Sequence, residues 1–111
     1  MAEDEGGERA GGGVRLEDEE LTAIKAAARH AFGADAVVRL FGSRTDDART
    51  GGDIDLHVEV APGLDEWQAR TRFEDNVFAR IEQQRIDVII RRRGEPMRGI
   101  DLIAHRDGIQ L

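Results

Sequence analysis

Between Asp53 and Val60 polar and aliphatic residues alternate without a break: Ile54, Leu56, Val58 and Val60 fall on one side, and Asp53, Asp55, His57 and Glu59 on the other. Side chains of a strand leave alternately to its two faces, so this pattern is that of a β-strand with one buried and one polar face. The rest of the chain must supply an apolar layer to cover the first face.

Two segments can do so. From about Glu17 to Phe32 the residues Leu21, Ile24, Ala28, Ala31 and Phe32 recur near helical spacing, acids crowd the first turn, and Gly33 is placed to cap the end. After Pro62-Gly63, the segment Leu64 to Gln84 carries Ala69, Phe73, Val77, Phe78 and Ile81 at three- and four-residue steps, which predicts a second amphipathic helix. Ala36 to Phe41 reads as a strand running into a turn at Gly42-Ser43, Asp46 to Gly52 as a loop, and Ile86 to Ile90 as a third strand. Around Ile100 to Ala104 a short helix is expected, with a turn at Gly108. The order helix, strand, strand, helix, strand, helix predicts an α+β fold: a small mixed β-sheet with helices packed on one side.

The 111 residues suffice for one domain, assigned to 14–111. Residues 1–13 are acidic and glycine-rich, with too little apolar surface to offset the entropy of ordering, and are expected to be a disordered tail. No apolar run there resembles a signal or membrane span, and the chain has no cysteine, which excludes disulfides, thiolate-bound metals and a catalytic thiol. A cytoplasmic location is the expectation. Of the net charge of -7, residues 1–20 carry -6 and the remainder -1. A body so near neutrality does not suit duplex nucleic acid, whose affinity comes from lysine and arginine on phosphates. The Arg91-Arg92-Arg93 run is the local exception, expected to be a solvated strand end.

Asp53 and Asp55 leave the same face of their strand, with Cα atoms about 6.6 Å apart at about 3.3 Å per residue. Asp87 is out of phase with Ile86, Val88 and Ile90, so it points away from its strand's apolar face. Should the two strands be neighbours, three carboxylates converge. Such a cluster repels itself unless divalent cations neutralise it, and an all-oxygen set suits Mg2+. Magnesium ligated this sparsely keeps room for substrate phosphates, which implies a nucleotide. Gly42 allows close backbone approach to a phosphate, and Ser43 adds a hydroxyl at the turn.

Phe41-Gly42-Ser43, nine residues, and then Asp53-Ile54-Asp55-Leu56 resemble the Gly-Ser-spacer-Asp-x-Asp motif of the polymerase-β-type nucleotidyltransferase superfamily, in its minimal single-domain (MNT) form. The resemblance covers roughly Leu16 to Leu111. It implies a nucleotidyltransferase-like fold in which Gly42 and Ser43 hold the triphosphate of ATP. Asp53, Asp55 and Asp87 would bind magnesium, two ions being expected. It further implies a helical HEPN-type partner protein and a toxin–antitoxin setting, with AMP passed from ATP to a hydroxyl of the partner. Two rival readings stay open: an antitoxin that works by occlusion without catalysis, and transfer to a small molecule.

Other residues take lesser roles. Arg44 is a secondary candidate for the nucleotide phosphates. His57 and Glu59 are expected to flank the metal face, His30 and His105 to lie on helix surfaces, and Trp67 to belong to the core. The histidines form no legible Ser-His-Asp triad.

Overall fold

The computed structural model describes residues 18–42 and 54–111. In chain order the elements are α1 (Asp18–Phe32), β1 (Val37–Phe41), β2 (Ile54–Val60), α2 (Glu66–Phe78), β3 (Ile86–Arg92), α3 (Gly99–Asp107) and β4 (Ile109–Gln110). The strands make one mixed sheet in the order β3-β2-β1-β4, antiparallel at β1–β2 and β1–β4 and parallel at β2–β3. The fold is the α+β mixed sheet expected from the periodicities, but its helices do not all pack on one side as expected, because α3 finds polar partners on the opposite face. The tail assigned to residues 1–13 and the loop at 46–52 lie outside the described residues.

Strand β2 is central, and Ile54, Leu56, Val58 and Val60 are completely buried. Their cover comes from α1, through Ala23, Ile24, Ala27, Ala28, Ala31 and Phe32, and from α2, through Ala69, Phe73 and Val77. The alanines of α1 let it lie close to α2, where Phe32 and Phe73 rings stack tilted at 5.6 Å between centroids. α1 opens with Asp18, Glu19 and Glu20 at its positive end and closes at Gly33, whose φ of 107° is accessible without a Cβ penalty.

Helix α2 stops at Phe78, six residues short of the expected Gln84. A parallel β2–β3 pair needs its crossover to return the chain to the start of β3, and residues 79–85 make that return while Ile81 still packs on the core. β3 runs on through Arg92, past the expected Ile90. The arginine run is not a solvated strand end: Arg91 pairs with buried Glu59 at 2.7 Å, Arg92 with Glu66 at 3.0 Å, and Arg93 with Asp35 at 3.4 Å. Trp67 is 78% exposed and outside the core. It shares α2 with Phe73 but, six residues away, stands about 120° around the helix from it.

α1 and α2 share the aliphatic face of the sheet. α3 meets the other, polar face, because its Asp101 contacts His57, which alternates with Leu56 and Val58. The outer edge of β3 is covered by side chains, with Arg70 donating to the Val88 carbonyl and Arg98 to the Ile90 carbonyl.

Candidate active site

β1 ends at Phe41, which pairs with Asp55, and Asp55 in turn pairs with Asp87 across the parallel ladder. Two of the three expected carboxylates therefore stand on neighbouring strands at the same level and on the same face. Gly42 follows directly, with φ at 81°. A Cβ there would lie 3.1 Å from the Asp55 Cγ and closer still to Oδ2, so the backbone at the end of β1 is packed onto the carboxylate. Only glycine combines that positive φ with that approach. Asp87 is half-exposed, and Arg85 Nε lies 3.4 Å from its Oδ1.

Ser43, Arg44 and Asp53 lie outside the described residues. Among the described residues no group of three or more histidine, aspartate or glutamate side chains is placed to hold a metal ion. Asp55 and Asp87 bring a pair of hard oxygen donors to one level of neighbouring strands. Mg2+ suits such a set, since it takes one or two carboxylates and leaves its other positions to water and phosphate.

No protein-family model matches the chain, and no curated protein matches it. No described helix is long and apolar enough to cross a membrane.

Further along the polar face the side chains form a buried charged network. His57 is completely buried, and its Nε2 lies 2.7 Å from Oδ1 of Asp101, which is equally buried. Arg98 grips that carboxylate through its backbone N–H at 2.7 Å, Nε at 3.0 Å and a terminal nitrogen at 3.1 Å. These hydrogen bonds from Arg98 hold the Asp101 carboxyl well below the usual aspartate range, against the opposing effect of burial and with help from His57. Asp101 raises the Arg98 pKa in return.

Glu59 accepts from Arg39 and Arg91, each at 2.7 Å, and lies 3.2 Å from His105 Nε2. Burial raises its pKa, but the hydrogen bond from Arg39 and the charge of His105 outweigh that, leaving it lowered. His57 and Glu59 thus lie beneath α3, on the face that also carries Asp55. His105 is exposed on α3, as expected, and its ring also meets His57 edge-on at 5.9 Å between centroids. Asp101 and Arg98 were not singled out from the sequence. Their available signal was the helical spacing of Asp101, Ala104 and His105, which puts two polar groups on the inward side of α3.

Proposed function

We propose that this protein is a magnesium-dependent nucleotidyltransferase that passes AMP from ATP to a hydroxyl of a partner protein, as antitoxin to a HEPN-type toxin. The observation that carries the reading is the pairing of Asp55 with Asp87 beside the closely packed Gly42. Asp53, Asp55 and Asp87 would hold the metal, which when bound neutralises triphosphate charge and stabilises the developing alkoxide and leaving pyrophosphate.

The chain's own residues do the rest. Gly42, lacking a side chain, lets phosphate approach the backbone at the end of β1, and Ser43 adds a hydroxyl donor. Asp87, on edge strand β3 and half-exposed, is open to an acceptor brought by a partner and takes the proton of its hydroxyl. The acceptor oxygen forms a bond to the α-phosphorus as the bond to the pyrophosphate oxygen breaks, and the proton passes through Asp87 to solvent.

The occlusion reading has support of its own in α3, which exposes Leu102 and Ile103 at 57% and 43%. Labelled ATP and magnesium separate the two. The parent should label the co-purified partner, whereas Asp55→Asn should bind the partner without labelling it or relieving its toxicity. Full protection by Asp55→Asn, with no mass increment on the partner in either case, would leave occlusion as the biological role. Calorimetric titration supplies the prior check: Asp53→Asn with Asp55→Asn should abolish Mg–ATP binding while the fold survives.

A further inference from the structure

We infer that α3 is a brace across the two acidic strands, with Asp101 as its positioning residue. This rests on the reading above, because it concerns how the Asp55–Asp87 pair of that site is held. Asp101 and Arg98 stand at the first turn of α3. Asp101 is tied to His57 on β2, two residues beyond Asp55, at 2.7 Å. Arg98, bound to the same carboxylate, reaches the Ile90 carbonyl on β3, three residues beyond Asp87, at 3.0 Å. One hydrogen-bonded unit therefore spans the two strands whose relative placement sets the distance between the acids.

Stability alone does not account for this unit. Removing an ionised carboxylate and an imidazole from water is costly, and apolar side chains of the same shape commonly do as well or better. His57 Nδ1 adds to the cost, being buried with no hydrogen-bond partner among the described residues. Nor is the apolar packing of α3 extensive, since Asp101 and Ala104 are its only buried residues. The helix is docked chiefly by polar contacts, whose directionality fixes position in a way that apolar contact does not.

The test compares Asp101→Asn with Phe73→Leu, a control that loosens the α2 core away from the polar face. Arg98→Gln, a change at a half-exposed side chain, serves as the milder variant should Asp101→Asn fail to fold. Amide hydrogen exchange is followed under conditions of matched global stability, together with calorimetric titration of Mg–ATP. In Asp101→Asn or Arg98→Gln, exchange at 55–57 and 87–89 should run faster than in Phe73→Leu. Mg–ATP affinity should fall about 10- to 100-fold, the range seen when the supports of metal ligands are removed. Exchange at these amides no faster than in the control overturns the brace, whatever the nucleotide does. A parent protein that binds no Mg–ATP sinks the transferase reading instead, and the exchange comparison still decides the brace.

Discussion

His57 and Asp101 are 44 positions apart in sequence, yet Nε2 of one lies 2.7 Å from Oδ1 of the other with both side chains completely buried. Hydrogen bonds from Arg98, with that of His57, lower the folded pKa of Asp101 beneath its ordinary 3.8. A carboxyl with a lowered folded pKa contributes stability above its unfolded pKa and loses it as pH falls through the folded value. The parent should therefore lose stability as pH drops below 3.8. Asp101→Asn, already weaker at neutral pH by about 3–5 kcal/mol, should lose less over the same interval. Urea unfolding at pH 7 and pH 3 measures both slopes, and equal slopes would remove Asp101 from the acid limb.

Gly42→Ala tests the close approach at the end of β1. A positive φ costs an alanine about 1–2 kcal/mol, and its Cβ would meet the Asp55 carboxylate. The variant should fold with a slightly lower denaturation midpoint and lose Mg–ATP binding out of proportion to that change. Binding retained at parental affinity would mean that Asp55 tolerates displacement or is not a ligand.

Glu59 holds two guanidiniums, and the side chains of Arg39 and Arg91 are only 17% and 14% exposed. Glu59→Gln leaves both cations buried together, at an expected cost of about 3–5 kcal/mol. The half-exposed Glu66, paired with Arg92, provides the contrast, since Glu66→Gln should change stability by less than about 1 kcal/mol. Chemical denaturation of the two variants side by side checks the ranking.

Phe73 and Trp67 reverse the usual ranking of aromatics by size. Phe73 is fully buried against Phe32, whereas Trp67 stands mostly in solvent. Phe73→Ala should cost about 3–5 kcal/mol, a large share of the stability of a domain of this size. Trp67→Ala should stay within about 0.5 kcal/mol. A large loss at Trp67 in the isolated protein would mean that its ring packs on a surface not described above.

Much of this fold was legible locally. The alternation of Ile54 to Val60 and the helical spacing of Leu21 to Phe32 state their own burial, because each repeats with the period of the element that forms. The candidate site was legible to the same depth: Asp55 and Asp87 could be assigned to the polar faces of their strands, and Gly42 to a turn. The end of α2 was not legible, since Ile81 keeps helical phase although the chain has left the helix to reach β3. The place of Trp67 was not legible either, because one large aromatic near a helix start fits a core or a surface equally well.

The sequence by itself determined which residues pair with which period, and so the elements, their buried faces and the acids available for chemistry. Tertiary structure alone decided that β2 and β3 lie parallel in a register that sets Asp55 opposite Asp87. It also decided that α3 folds back over the polar face to bury His57, Glu59 and Asp101. Periodicity is a property of one segment, whereas strand neighbourhood, register and the docking of α3 depend on which distant groups satisfy one another's hydrogen bonds and charges. Nothing local to Asp101 could specify that its partner would be His57.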